Sequence, residues 1–301
     1  MKLRTASFLL LLLPMLLRAQ SADSIFIAKA HGMSEVIYAD TIDNIKLQRN
    51  QELEQLMTDF LSTPLFPAFS FDSLQFIKHL RPDDGSFDLL TWVVPLSDHR
   101  WHYSGLVRKA DAKSGDTTFR LQPIQWQPSA DSTYSYTQWP GAVYRKVISR
   151  SPKGKSFYTL TGWHGETEGM AGRVIDVLWF DSAGAPRFGL PVFVMKDGSQ
   201  QQRVFFSFTD QVPFHLAYEM QLLPGEKRKR DQMIVFNRLG SNNAQLGQMF
   251  RGAVPRYDIF DAFVFINGEW VLHQDVDART DTRNLPKLDP PEQGLGDPKK
   301  Q

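Results

Sequence analysis

Apolar and polar positions follow two different periods along this chain. Between Thr41 and Leu61 the apolar residues recur every three or four positions and leave a polar face that carries Arg49, Glu52 and Glu54, which predicts one amphipathic helix. Pro64 follows soon afterwards and ends the helix, because proline cannot continue its hydrogen-bond ladder. The preceding stretch, Ser24–Ala39, has a mixed pattern that favours neither helix nor strand.

The segment between this helix and residue 84 is aromatic and interrupted by proline. Within Phe66–Leu80, Asp72-Ser73 is a candidate cap, which predicts a short helical turn that ends near Leu80. We therefore assign residues 21–83 to an N-terminal helical segment.

From Asp84 onward, short runs of aromatic and β-branched residues alternate with Gly, Pro, Asp and Asn, as is typical of antiparallel sheets. Asn267-Gly268 is the strongest turn signal, because both residues readily adopt the positive φ angles of a two-residue hairpin. The candidate strands are Phe87–Val94, Trp101–Lys109, Thr117–Ile124, Ala142–Ser149, Ser156–Trp163, Arg173–Phe180, Arg187–Phe193, Gln202–Phe208, Phe214–Leu222, Gln232–Arg238, Ile259–Ile266 and Glu269–Gln274.

The candidate strands have no helical crossovers between them, which disfavours a parallel α/β sheet. The sequence therefore predicts a mainly β fold, an antiparallel meander with one N-terminal helix packed on it. A barrel, a sandwich and a propeller-like arrangement all remain open. The β domain is expected to span residues 84–277, followed by a tail over 278–301 whose Pro, Gly and charge content predicts mobility.

The first residues have the pattern of a signal peptide. A basic start is followed by an apolar run from Phe8 to Leu17 and then by small residues, so residues 1–20 are expected to be removed after Ala19 or Gln20. The run is too short to span a bilayer, and no later stretch approaches the length of about 20 residues that spanning requires. The protein is therefore predicted to be exported, to the periplasm or the extracellular space.

Composition narrows the classes of function. The chain has no cysteine, which excludes disulfides, a thiol nucleophile and any cysteine-ligated metal. Removal of the leader leaves 31 cations against 33 carboxylates, a net charge of −2, which argues against capture of nucleic acid by bulk charge. No asparagine lies in a glycosylation motif, as is common in bacterial envelope proteins.

Known catalytic motifs are missing, so candidate chemistry comes from clusters of side chains. His164, Glu166 and Glu168 lie close together after Trp163, with Asp176 further on. One imidazole with several carboxylates can bind a divalent metal or exchange protons. The alternative is a polar turn between two strands, which we favour because no second strong metal ligand occurs at a fixed offset. We therefore assign no metal and no cofactor.

Two aspartates invite separate interpretations. Alternation along its strand directs Asp176 toward apolar neighbours, so its carboxylate is expected to pair with a cross-strand arginine or a backbone amide. Asp261 belongs with Asp258, Asp275 and Asp277 to an acidic group around the last hairpin. A sugar-cleaving carboxylate pair could come from this group, although turn and surface roles are favoured.

Exposed aromatic and basic residues supply the candidate binding surfaces. Trp101, Tyr103 and Trp163 lie next to loops and could stack on carbohydrate rings, although most rings of a β protein belong to its core. Tyr134-Ser135-Tyr136 is a similar candidate. Lys227–Arg230 could bind phosphates or an anionic membrane face, with a solvated hairpin tip as the alternative.

Several short sequence segments together resemble a family of secreted, β-rich bacterial proteins with no assigned activity. They are Asp84-Gly85-Ser86-Phe87 leading to Trp92, Gly141-Ala142-Val143-Tyr144, Tyr158-Thr159-Leu160-Thr161-Gly162-Trp163, Val174-Ile175-Asp176-Val177-Leu178 and Asp275-Val276-Asp277-Ala278-Arg279. The resemblance covers residues from about Phe71 to Arg279. It implies export and β-structure, and it supplies no catalytic residue.

These observations favour a non-catalytic module that binds an unknown envelope ligand or protein through the loops of a β scaffold. The alternative is a hydrolase that acts on carbohydrate or another polymer through carboxylates such as Glu166, Asp176 and Asp261. An outer-membrane barrel ranks last, because the strand at Arg203–Phe208 is apolar on both faces.

Overall fold

The computed structural model describes residues 6–110, 115–150, 152, 156–165, 170–240 and 252–277, with side chains described from Asp23 onward. The first five residues of the expected leader, Glu166, Glu168 and the expected tail over 278–301 lie outside the described residues.

Two helices begin the chain, α1 (Ala6–Ala39) and α2 (Asp43–Leu61). They pack through aromatic rings, with the centroids of Phe26 and Phe60 3.7 Å apart. The predicted helix α2 is confirmed to within two residues at its start. The expectation of a single helix is wrong, because the ambiguous stretch before Asp40 is helical and buries Phe26, Ala30 and Ile37.

The predicted turn before Leu80 is shorter and lies earlier than expected. Two 3₁₀ turns span Phe66–Ala68 and Phe71–Ser73. The hydroxyl of Ser70 caps the second by accepting from the Asp72 amide at 3.3 Å. The chain then enters a strand at Lys78, because residues 78–80 pair with the first long strand.

Each of the twelve strands predicted from residue 84 onward overlaps an observed strand, with bounds that differ by up to five residues. The strands are β1 (Lys78–Leu80), β2 (Phe87–Pro95), β3 (Trp101–Lys109), β4 (Thr117–Leu121), β5 (Tyr134–Ser135), β6 (Val143–Ile148), β7 (Phe157–Trp163), β8 (Met170–Phe180), β9 (Pro186–Phe188), β10 (Phe193–Val194), β11 (Gln200–Gln201), β12 (Val204–Thr209), β13 (Leu216–Leu222), β14 (Arg230–Gly240), β15 (Val254–Ile266) and β16 (Glu269–Val276). The short strands β5 and β11 were not predicted.

One predicted strand, Arg187–Phe193, is divided into β9 and β10. Gly189 has a φ of +92°, outside the strand region, and Pro191 has no amide to donate to a ladder. The Asn267-Gly268 hairpin is confirmed: the two residues have φ angles of 52° and 96°, and Ile266 pairs with Glu269 across the turn.

The described strands form three sheets. The first has the order β1-β2-β3-β4, the second β5-β9-β8-β7-β6 with β12 also paired to β8, and the third β11-β10-β16-β15-β14-β13. The pairs of neighbouring strands are antiparallel except β10 with β16. The molecule is mainly β with antiparallel sheets, as predicted, and among the described strands the arrangement is that of stacked sheets.

Apolar side chains join the layers in a fixed order. The helices pack on one face of the first sheet, around Leu90, Trp92 and Leu106. Its other face packs on the second sheet. The second and third sheets share a further core around Phe193, Phe263 and Trp270, and Met233 and Val235 belong to a fourth cluster on the outer face of the third sheet.

Alternation along β3 decides which residues reach the candidate site. Tyr103 and Val107 point toward the second sheet, whereas Ser104 and Leu106 point toward the helices. On the helix side, Asn50 accepts a hydrogen bond from the Trp92 indole at 2.7 Å and donates to the Ser104 hydroxyl at 2.8 Å. This buried network fixes α2 on the strands that carry the site.

Candidate ligand-binding cleft

A cleft of about 430 Å³ opens where the first and second sheets end together. It is formed by the β2–β3 hairpin, the loop that follows β4, and the residues just after β7. Its lining comprises Leu96, His99, Arg100, Trp101, His102, Tyr103, Pro123, Ile124, Gln125, Trp126, Gln127, Pro128, Pro140, His164 and Gly165. Three of the candidates from the sequence, Trp101, Tyr103 and His164, thus lie in one place.

The third aromatic candidate, Trp163, packs behind the rings that line this cleft. Its ring meets Trp101 edge to face, with centroids 5.0 Å apart, and lies 6.0 Å from Tyr103. Tyr103 is 7% exposed, whereas Trp101 is 37% exposed. The cluster therefore has a buried base, which holds the rings in position, and an open indole, which a ligand can reach.

Two glycines allow these rings to approach the backbone. A Cβ at Gly165 would lie 2.5 Å from Trp101 Cδ1 and 2.6 Å from Trp163 Cη2. Gly141 has a φ of +80°, and a Cβ there would lie 2.5 Å from Tyr103 Cδ2. The Gly165 amide donates to the Tyr103 hydroxyl at 2.5 Å, so the buried phenol has a partner.

His164 is a structural part of the cleft wall. Its ring stacks on Tyr103 with an interplanar angle of 7°, and its Nδ1 lies 2.7 Å from the Gly141 carbonyl oxygen. Burial lowers the pKa of His164, and the Gly141 hydrogen bond opposes this only in part. The neutral ring therefore donates from Nδ1 and keeps Nε2 as its acceptor.

Among the residues that the structure describes, no set of metal ligands is gathered around His164. Within the described ranges, no group of three or more His, Asp or Glu side chains could hold a metal ion. Glu166 and Glu168, the sequence neighbours that motivated the metal and acid–base interpretation, lie outside those ranges. Asp176 is not part of the cleft lining.

Trp126 is the cleft residue that the sequence interpretation missed. It is 58% exposed and lies in a loop held at its base, where the Ile124 amide donates to the Trp139 carbonyl at 2.9 Å. Exposed Gln125 and Gln127 flank it. The sequence did contain a signal for an exposed ring at this position. Trp126 is a lone tryptophan among glutamines and prolines, outside any strand pattern, so it has no sheet face to pack on.

The β2–β3 hairpin borders the cleft, and contacts with α2 stabilise its conformation. Asp98 and His99 have φ angles of 57° and 55°, which is a costly region for residues other than glycine. Asp43, the first residue of α2, accepts from the Ser97 amide at 2.8 Å and from its hydroxyl at 2.6 Å. It also pairs with Arg100 at 3.1 Å, so the helix anchors the hairpin.

The predicted pairing of Asp176 is confirmed. The carboxylate has no exposed surface and accepts from Arg203 Nε at 3.2 Å, the Val177 amide at 2.8 Å and the Tyr144 hydroxyl at 2.9 Å. Burial raises the pKa of Tyr144 well above its ordinary value, which keeps that hydroxyl a donor. These contacts use Asp176 within the core.

Asp261 is likewise engaged in a structural ion pair. Arg238 binds it through Nε at 3.0 Å and through a terminal nitrogen at 2.5 Å, and the Asp275 amide donates to it at 3.1 Å. Asp258, Asp275 and Asp277 line a separate cavity of about 550 Å³, away from the cleft. Asp176 and Asp261 therefore belong to two different ion pairs, one on β8 and the other on β15.

The remaining aromatic candidates pack within the protein. Tyr134 lies against the Arg203 guanidinium, 4.8 Å from ring centroid to Cζ, and Tyr136 meets Phe119 with centroids 5.2 Å apart. Neither tyrosine contributes to the cleft lining.

Comparison with known proteins adds no relative: no family model, no curated protein sequence and no solved structure matches this chain. Within the described residues, no helix combines the length and apolar character needed to cross a bilayer.

Proposed function

We propose that this is an exported protein of the periplasm or extracellular space that binds a carbohydrate, without transforming it, in the cleft around Trp101 and Trp126. The observation that carries the proposal is the opening of two exposed indoles into one cavity. The export part of the proposal rests on the leader pattern and on the family resemblance described above.

The rings suit the apolar face of a sugar. A pyranose presents aliphatic C–H groups on one side and hydroxyls around its edge, and a flat indole can cover the former. Leaving two tryptophans exposed has a hydrophobic cost that ligand binding would offset. The cleft volume of about 430 Å³ lies within the range of small-molecule sites.

The polar part of the lining suits hydroxyl groups. Gln125 and Gln127 each offer one acceptor and two donor hydrogens, which matches the mixed character of a sugar hydroxyl. Arg100 adds a guanidinium that is held by Asp43. Pro123, Pro128 and Pro140 restrict the surrounding backbone, which reduces the ordering that binding would require.

The engagement of the carboxylates supports binding over hydrolysis. Carboxylate-based sugar cleavage uses two acidic groups that flank the scissile bond. Asp176 and Asp261 are both bound to arginines, and neither lines the cleft. Of the three carboxylates named for the hydrolase alternative, this leaves Glu166, which lies outside the described residues.

The test is a glycan-array screen of the full chain, followed by calorimetric titration with the best oligosaccharide. Trp101→Ala and Trp126→Ala should each weaken binding by about tenfold or more, as truncation of an aromatic anchor does. Tyr257→Ala is the matched control, because Tyr257 is 86% exposed and lies outside the cleft. Unchanged affinity in both tryptophan variants would refute the site.

A reducing-sugar assay on the bound glycan distinguishes binding from hydrolysis. We expect no release of new reducing ends by the wild-type chain. Release that is abolished by Glu166→Gln would replace the binding proposal with the hydrolase alternative.

A further inference from the structure

We propose that one end of the third sheet docks on a lipid bilayer that carries anionic phosphate headgroups. The docking surface, here called the hairpin end, comprises Arg150, Met220, Lys227–Arg230 and Ile266. It is distinct from the cleft and does not depend on the proposed sugar ligand.

The β13–β14 hairpin presents four consecutive cations, Lys227–Arg230, on a defined turn. The Leu223 amide donates to the Lys229 carbonyl at 2.9 Å, and the Glu226 amide donates to the Leu223 carbonyl at 2.9 Å. Gly225 has a φ of +79°, which the second central position of this turn requires. The cations are therefore held at a fixed place on the surface.

These four side chains are available to an external anion. All four are exposed, and within the described part of the chain none of them forms an ion pair or a side-chain hydrogen bond. The carboxylate that follows them, Asp231, is bound by both terminal nitrogens of Arg150 at 2.9 and 2.6 Å. Two further acids lie at this end, Glu226 in the turn itself and Glu269 next to the β15–β16 turn, where Glu269 accepts a hydrogen bond from Gln200 at 2.7 Å.

Arg150 also brings neighbouring hairpins to the same end of the molecule. Its guanidinium carbon lies 5.2 Å from the centroid of the Phe265 ring, next to the β15–β16 turn. Pro152, in the β6–β7 connection, lies 2.9 Å from the position of a Cβ on Gly268. The tips of the β13–β14 and β15–β16 hairpins and Pro152 thus meet beside the cations, as a surface rather than as a single projecting loop.

Aliphatic side chains accompany the charges. Met220 is 51% exposed and Ile266 is 40% exposed. Met220 shares a face of the third sheet with Tyr218, whereas Ile266 lies on the face opposite Phe265, so the two side chains flank this end from both sides. Cations attract a protein to anionic headgroups, and adjacent apolar side chains gain by entering the interfacial region. A nucleic acid would use the cations but offers no comparable environment for methionine and isoleucine, so the combination favours a bilayer.

The experiment is co-sedimentation of the full chain with vesicles at near-physiological ionic strength. We expect binding to vesicles that contain phosphatidylglycerol and little binding to vesicles of phosphatidylcholine alone. Replacing Lys227, Arg228, Lys229 and Arg230 together by Gln should lower the partition coefficient by about tenfold or more, since each cation near an anionic surface contributes to attraction.

A matched control removes the same charge elsewhere. The control replaces four exposed cations that lie outside the hairpin end, Lys29, Arg120, Lys196 and Arg256, by Gln. This variant should keep most of the wild-type partition coefficient. A charge-preserving variant (Lys227→Arg, Arg228→Lys, Lys229→Arg and Arg230→Lys) should bind as the wild type does, because the attraction depends on charge.

Three results would overturn the proposal. They are equal binding to both kinds of vesicle, undiminished binding by the Gln variant, and full competition by soluble glycerol phosphate, which would indicate a small-anion site. Thermal unfolding of each variant confirms that the comparison is between folded proteins. Met220→Ser with Ile266→Ser should weaken partition further without changing its dependence on phosphatidylglycerol.

Discussion

The rings of Tyr103 and His164 stack almost in parallel, with centroids 5.5 Å apart and an interplanar angle of 7°. Tyr103 belongs to the first sheet, and His164 follows a strand of the second. The contact therefore ties together the two sheets between which the cleft opens. The neutral state of the imidazole is part of this junction.

Stability should fall as the pH is lowered past the ordinary pKa of histidine. Burial lowers the pKa of His164 and also that of His102, so the unfolded chain binds these protons more tightly than the folded protein does. The free energy of unfolding is then lost as pH falls below about 6.5. Urea unfolding at pH values of about 7.5 and about 5.5 measures the effect.

The groups around His164 shift its pKa in both directions. Arg203 favours the neutral ring, whereas Asp176 and the Gly141 carbonyl favour the charged one, and burial outweighs them. His164→Gln and His102→Gln should each reduce the pH dependence of the free energy of unfolding. The double variant should have the smallest pH dependence of the four proteins. If the double variant lost as much free energy of unfolding between these two pH values as the wild type does, this account would be wrong.

Asp176→Ala should destabilise the protein strongly. It leaves Arg203, which has no exposed side-chain surface, as an uncompensated buried charge, a change that costs about 3–5 kcal/mol. Equilibrium urea unfolding measures the loss. The glycan affinity of the folded fraction should be unchanged, because Asp176 does not line the cleft.

The control for this substitution is an exposed pair of the same chemistry. Arg256 and Asp258 are 53% and 54% exposed and 4.0 Å apart, so Asp258→Ala should change stability by no more than about 0.5 kcal/mol. If both substitutions had equally small effects, Asp176 would not be the structural anchor described above.

Gly141→Ala should lower the free energy of unfolding by more than the positive φ angle alone explains. The substitution places a methyl group 2.5 Å from Tyr103 Cδ2, so strain in the core adds about 1–3 kcal/mol to the conformational cost. Gly198 has a similar φ of +82° with nothing within 4 Å of the Cβ position. Gly198→Ala therefore isolates the conformational cost of about 1–2 kcal/mol. Thermal or urea unfolding of the two variants should separate them clearly.

The part of α1 that follows Gln20 should be necessary for stability. Phe26 stacks on Phe60 and meets Phe69 edge to face at 5.3 Å, and Phe26→Ala should cost about 3–5 kcal/mol. Ile25→Ala is the neighbouring control, because Ile25 is 58% exposed. A chain that begins at Ser21 should unfold at the same urea concentration as the full chain.

The proposed export and cleavage are tested by the mass of the protein recovered from the periplasm or the medium. Cleavage after Ala19 or Gln20 leaves Phe26 in place, whereas a new terminus beyond Phe26 would remove one of the packed rings. An exported form that starts after Phe26 and is equally stable would show that the packing of α1 does not require this ring.

The amino-acid sequence by itself determined most of the strands, a helix over residues 41–61 that begins at Asp43 in the structure, and the Asn267-Gly268 turn, because periodicity and turn chemistry are local properties. It did not predict the short strands β1, β5 and β11. It also determined that Asp176 must be paired, since alternation directed a carboxylate into an apolar layer. It left Ser24–Ala39 undecided, because that helix depends on rings from α2 and from residue 69.

Only the tertiary structure decided which residues share a site. Trp101, Tyr103, Trp126 and His164 come from separate segments, and their meeting depends on how the sheets stack and on glycines that admit the rings. The partner of Asp176 and the meeting of the β13–β14 and β15–β16 hairpin tips beside Arg150 depend on the same packing. Such relationships join residues far apart in the chain, and no local pattern encodes the register and stacking that bring them together.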